Sequence, residues 1–195
     1  MEQNIDIFIT YNGTGNAYQS VAPILIDKYD SILPEFLINY WRENGLCNFK
    51  DGFFSMVNPD DYAEILSFFK KDTAHCHVVL RTAFGGLIYL NQKAKIRKRI
   101  EGEERKYNYI CPIRRNVTHF TDYLHDVMNG WLTTEEIYAP LMFSNLYDQA
   151  RKRLPPPAPD ECYAFVPAIA LGGDMDPDNI ALVKQKEHLL FLSQL

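Results

Sequence analysis

No stretch of this chain approaches the ~20 consecutive apolar residues that a membrane-spanning helix needs. The opening residues, Met1 to Asp6, carry neither a basic cluster nor a long apolar core, so they do not read as a secretory signal. Cysteine is sparse and scattered. Cys47, Cys76, Cys111 and Cys162 form no C-x-x-C pair, which leaves free buried thiols in a reducing cytosol as the expectation. Excess positive charge is also missing: 20 basic against 25 acidic side chains give −5, a balance that disfavours a dedicated nucleic-acid binder. The expected setting is the cytoplasm.

What the chain does have is aromatic bulk. Its 12 Tyr, 12 Phe and 2 Trp can fill much of a core within 195 residues, enough for one large domain or two tightly joined modules. Charge is unevenly spread. Residues 1–74 hold 5 basic and 11 acidic side chains, residues 75–154 hold 13 and 8, and residues 155–195 hold 2 and 6. An acidic–basic–acidic chain can offer an acidic face to a basic partner, although a plainly solvated surface has the same composition.

The stretch Arg81 to Leu90 anchors the reading. An apolar run, Val78-Val79-Leu80, precedes it, Gly85 and Gly86 supply the freedom of a tight turn, and Leu87-Ile88-Tyr89-Leu90 follows. This predicts a buried hairpin with Thr82, Ala83 and Phe84 in the core and another element packed closely on the glycines. Arg81 then needs a partner that the sequence does not name.

Around the hairpin, Ile5 to Ile9 alternates weakly and predicts a short strand, with Tyr11 to Asn16 as a turn before a helix. Gly13 and Gly15 lack the Lys-Ser/Thr of a phosphate loop. Val21, Leu25, Tyr29 and Ile32 have near-helical spacing, with Pro23 tolerable in a first turn. Pro34 opens a second helix that Gly45 closes, and Trp41 lies on its apolar stripe. Phe53 to Val57 reads as a strand. Asn58-Pro59-Asp60-Asp61 supplies a cap, a proline and two carboxylates facing a helix N-terminus. Adjacent helical residues diverge by about 100°, so Asp60 and Asp61 do not form a catalytic pair.

His75 and His77 share a strand face but have no third ligand in sight. Residues 93–106 predict a basic hairpin. Lys95, Arg97 and Arg99 beside Tyr107 and Tyr109 suit either phosphate contacts with stacking or a charged, solvated sheet edge. His119 to Asp126 reads as the start of a helix. Thr133 and Glu136 have capping-box spacing before Ile137 and Leu141, and Pro140 should kink or split that helix. Residues 154–159 form an extended connector. Cys162 to Phe165 and Ile180 to Val183 read as strands, and a closing helix starts near Lys186. Asp174, Asp176 and Asp178 alternate as in a calcium loop. The glycine and bidentate glutamate of such a loop are missing, so they read as an acidic turn.

With those pieces placed, the chain resembles the GAD-like domain family joined to the C-terminal domain of the immunity proteins that accompany type VI secretion DNase effectors. The first part of the resemblance rests on Leu33-Pro34-Glu35-Phe36-Leu37, Tyr40-Trp41-Arg42-Glu43-Asn44-Gly45, Asp51-Gly52-Phe53-Phe54, Val57-Asn58-Pro59 and Arg81-Thr82-Ala83-Phe84-Gly85. The second rests on Tyr163-Ala164-Phe165-Val166-Pro167-Ala168, Leu171-Gly172-Gly173, Asn179-Ile180 and His188 to Leu195. It implies an α+β protein of the bacterial cytoplasm that binds and blocks a cognate toxin, with no catalytic residues to carry over.

The expectations are then concrete. An antiparallel sheet with its core hairpin around Arg81–Leu90 carries N-terminal helices, in a GAD-like domain over 1–115, with a smaller α+β module over 116–195. The function is toxin neutralisation, the partner a basic nuclease, with no metal, cofactor or membrane involved. Asp60, Asp61, Asp174, Asp176 and Asp178 are the candidate contacts. The alternative is a nucleic-acid or anion-binding module using residues 93–106. An enzyme ranks last, because no nucleophile–base pair, metal set or phosphate loop emerges.

Overall fold

A computed structural model describes residues 4–94 and 106–195, and in it seven strands form one sheet in simple sequence order. They are β1 (Asn16–Gln19), β2 (Leu46–Phe49), β3 (Phe54–Met56), β4 (Cys76–Thr82), β5 (Leu87–Asn91), β6 (Tyr107–Cys111) and β7 (Asn116–Thr121). Every neighbouring pair is antiparallel. A second, two-stranded sheet pairs β8 (Glu161–Phe165) with β9 (Ile180–Lys184). The helices are α1 (Asp6–Asn12), α2 (Pro23–Tyr29), α3 (Glu35–Asn44), α4 (Pro59–Ser67), α5 (Leu124–Asp126), α6 (Glu135–Met142), α7 (Ser144–Ala150) and α8 (Gln185–Ser193). The class is α+β, as expected.

Both faces of the sheet are covered, which explains the unbroken apolar runs of β4 and β5. On one face Val78, Leu87, Tyr89 and Ile110 pack with Tyr62, Ile65 and Leu66 of α4 and Leu189 and Leu192 of α8. On the other, Leu80, Ile88, Leu90 and Tyr109 join the larger core, built with α1, α2, α3, α6 and α7. Neighbouring residues Leu87 and Ile88 thus serve different cores, as strand alternation requires.

Local chemistry sets the best-read elements. Pro23 stands in the first turn of α2, and Gly45 closes α3 with φ +74°. The Asn58 side chain accepts from the Asp60 amide at the start of α4. All four cysteines are free and buried.

Several expectations fail, each because tertiary packing overrides a local pattern. Residues 6–9 lie in α1, with Ile5 at its N-cap, rather than in a strand, since Ile5, Phe8 and Asn12 reach the interior at helical spacing. The following turn leads into β1, not directly into a helix. His119 to Thr121 finish β7, and helix begins only at Leu124, running into a π-helical turn over Val127–Trp131. The capping box does not form. The Thr133 hydroxyl donates back to the Asn129 carbonyl at 2.6 Å, Thr134 is the N-cap, and Ile137 is 43% exposed. Pro140 lies within α6, and the chain breaks at Phe143, whose left-handed φ of +65° separates α6 from α7. The expected edge hairpin is also overturned on its return side: β6 is an inner strand, paired with β5 and β7. Residues 95–105 lie outside the described residues. The 115/116 boundary falls in the turn between β6 and β7, and pairing continues across it to Thr121.

Candidate partner interface

The hairpin between β4 and β5 is one of the places where the N- and C-terminal parts of the chain meet. Gly85 has φ +75°, and a Cβ there would stand 3.0 Å from Leu189 of α8. A Cβ on Gly86 would stand 2.4 Å from the Tyr109 hydroxyl. These are the close approaches that the glycine pair predicts. The backbone between them is shared: the Ala83 amide donates to the Phe53 carbonyl at 2.9 Å, and the Ala83 carbonyl accepts from the Tyr163 amide of β8 at 2.8 Å. Phe84 projects into the C-terminal part, with ring centroids 5.5 Å from Phe143, 5.6 Å from Tyr163 and 5.8 Å from Phe165.

Arg81 completes this junction. It is 2% exposed and lies opposite Leu87, on the face covered by α4 and α8. Its guanidinium donates to the Glu161 carbonyl at 2.5 Å and to the Ala158 carbonyl at 2.9 Å. Gln185 adds a longer contact at 3.4 Å through Oε1, which also accepts from the Tyr62 hydroxyl at 3.0 Å. Among the described residues Arg81 has no carboxylate within ion-pair distance. Carbonyl dipoles satisfy the buried cation instead, as a desolvated charge requires.

Above this cluster lies a cleft of about 410 Å³, bounded by Tyr18, Tyr62, Ile65, Pro159 and Gln185, with Asp61 at its wall. The five candidate aspartates are not brought to one site. Asp60 is already occupied: it pairs with Lys28 at 2.5 Å and accepts from the Tyr29 hydroxyl at 2.7 Å. Burial alone would raise its pKa, but these two hydrogen bonds leave the carboxyl below its ordinary value. Asp61 is exposed beside the cleft. Asp174, Asp176 and Asp178 are exposed together on the turn before β9, where the Asp176 carboxylate caps the Asp178 amide at 2.8 Å. Among the described residues no group of three or more His, Cys, Asp and Glu could hold a metal ion.

The stacking faces proposed for nucleic acid are not available. Tyr107 and Tyr109 are 3% and 1% exposed, spent on the sheet interior. Burial also holds the Tyr109 hydroxyl protonated, well above its ordinary pKa. No helix among the described residues is long and apolar enough to cross a membrane.

Taken together, the meander sheet, the helices on both faces and the appended β8–β9–α8 unit define an α+β protein. The chain belongs to the GAD-like domain family, which it matches over residues 3–102. Residues 125–195 match the C-terminal part of the T6SS immunity protein Tdi1, which points to a type VI secretion immunity protein. The crystal structure of Atu4351 from Agrobacterium tumefaciens shares the fold, with a TM-score of 0.76 at 18% identity over 97% of this chain and 88% of that one. No curated protein matches the sequence.

Proposed function

We propose that this protein neutralises a cognate secreted toxin by forming a tight one-to-one complex that occludes the toxin's working surface. The observation that carries the reading is the match of residues 125–195 to the immunity protein's C-terminal part. The proposed toxin is a basic nuclease, and the protein acts on it in the bacterial cytoplasm without catalysis of its own. The acidic balance of residues 155–195, 2 basic against 6 acidic side chains, supports a basic partner, because complementary charge accelerates encounter. Asp61, Asp174, Asp176 and Asp178 are the proposed charged contacts. Asp60 is a weaker candidate, since Lys28 and Tyr29 already engage it.

The two-module division belongs to this reading. Its proposed junction, at 115/116, lies between the two family matches, which end at residue 102 and begin at 125.

The test is co-expression with the product of the adjacent toxin gene. Protection of the host cell, co-purification of an equimolar complex and arrest of DNA cleavage in vitro are expected. A toxin that kills equally well with and without this protein would reject neutralisation. Protection with no DNA cleavage by the free toxin would reject only its being a nuclease.

A further inference from the structure

The exposed apolar side chains are concentrated in one part of the molecule. Among the described residues twelve large hydrophobic side chains stand exposed, and six of them fall within the last 30 residues: Val166, Leu171, Met175, Leu190, Phe191 and Leu195. α8 shows why this is unusual. Its inward stripe, Gln185, His188, Leu189 and Leu192, already packs on the sheet and on the turn at Ala168. The next stripe, Glu187, Leu190, Phe191 and Gln194, repeats the same i, i+3, i+4, i+7 spacing on the solvent side. Leu190 and Phe191 are 40% and 41% exposed there. A helix that packs one face against its own domain needs only one apolar stripe, so the exposed area of Leu190 and Phe191 is apolar surface left uncovered by the described fold.

Charge surrounds these side chains in an uneven way. The segment 166–195 holds Asp174, Asp176, Asp178 and Glu187 against Lys184 and Lys186. Both lysines are engaged by carboxylates outside it. Lys184 reaches Asp160 at 2.6 Å and Glu161 at 3.4 Å, and Lys186 reaches Glu64 at 2.6 Å. The four acidic groups have no ion-pair partner among the described residues. The segment carrying Leu171 and Met175 joins α8 where Ala168 to Ala170 meet His188 and Leu192. The result is apolar side chains among carboxylates without ion-pair partners, of which Asp176 also accepts from the Asp178 amide, the composition of an interface core with a charged rim.

We propose that the outer stripe of α8 and the adjoining 166–178 segment are the surface that docks the cognate toxin, with Leu190 and Phe191 as apolar anchors and the acidic turn facing basic side chains. This rests on the toxin-binding reading and assigns it a place. It commits to a basic protein partner rather than a second copy of this chain, because two copies would bring four like-charged groups against four others.

The experiment measures binding of the full-length protein to the product of the adjacent toxin gene, held catalytically inactive. Leu190→Asp with Phe191→Asp should weaken binding about 30-fold or more, the scale of an interface hot spot. Asp174→Lys, Asp176→Lys and Asp178→Lys together should slow association and remove most of its salt dependence. Ile24→Asp, at a side chain 80% exposed on the other part of the molecule, should leave binding unchanged. Urea midpoints close to wild type would show that each variant folds. Unaltered toxin binding by the folded Leu190/Phe191 variant overturns this surface while leaving neutralisation intact. Wild type that fails to bind overturns both. A wild-type dimer in solution that the helix variant converts to monomer, with toxin binding unchanged, assigns the stripe to self-association and also overturns the proposal.

Discussion

The β4–β5 turn and the acidic turn before β9 are both short connections bearing charged or aromatic side chains, but their chemistry is used in opposite ways. At the first, every strong group is spent inside the molecule: Arg81 on three oxygens, Ala83 on Phe53 and on β8, Phe84 on three rings. At the second, Asp174 and Asp178 are exposed and have no ion-pair partner among the described residues, while Asp176 only shapes its own turn. The difference separates holding from binding. A residue whose hydrogen bonds are saturated at home has little to offer a partner, whereas an unpaired exposed carboxylate costs nothing to redirect.

That contrast can be broken most severely at Phe84. Replacing it by alanine removes a 2%-exposed ring from between the two parts, and about 3–5 kcal/mol of stability should go with it. Urea unfolding measures this, and a loss well under 1 kcal/mol would mean that the ring does not tie the parts together. Arg81→Met comes next. It keeps bulk but removes the Arg81 donor from the Glu161 carbonyl and leaves the Ala158 carbonyl with only the Glu161 amide, and a buried unpaired acceptor costs about 1–3 kcal/mol. Asn58→Ala should cost about 1 kcal/mol through loss of the α4 cap, readable in the same assay.

A smaller effect is expected from acid. Burial holds His77 and His188 below their ordinary value of 6.5. The unfolded chain therefore takes up protons first as pH falls, so their stabilising contribution is full above about 6.5 and declines below it. Both rings are partly solvated, so the decline should be shallow, and His188→Gln should flatten it further. At the far end, Asp174→Asn, Asp176→Asn and Asp178→Asn together should move stability by no more than about 0.5 kcal/mol. A large loss would make the acidic turn structural and erase the contrast.

How much of this was legible in the sequence follows the same division. The β4–β5 hairpin, the Asn58 cap, the glycine stop at Gly45 and the closing strands and helix were readable, because each is written in local residue chemistry. α1 and β7 were not. Ile5 to Ile9 fits two periods over so few residues, and only packing of Phe8 on Phe49 and Phe54 decides between them. His119 to Thr121 carries no signal of the pairing with β6 that extends it. β2 was missed altogether, being four residues long between a helix stop and a turn. The partner of Arg81 was illegible for a different reason. Its main acceptors are main-chain carbonyls 77 and 80 positions downstream, and every residue has one. For the candidate contacts, the sequence marked the acidic turn but not the outer stripe of α8, because a helix apolar on two sides reads like one buried all round.

Those carbonyl acceptors have a consequence for divergence. Tyr163 joins Ala83 through backbone atoms alone, and Ala158 and Glu161 receive Arg81 in the same way. Apart from Gln185, the C-terminal side of this attachment contributes peptide groups rather than particular side chains. Mutation can rewrite the side chains of residues 158 and 161 without deleting an acceptor, provided that the strand keeps its course. The other side has no such latitude, since only a forked guanidinium reaches both carbonyls at once. The attachment is therefore inherited unequally: one partner must keep its letter, and the other only its shape.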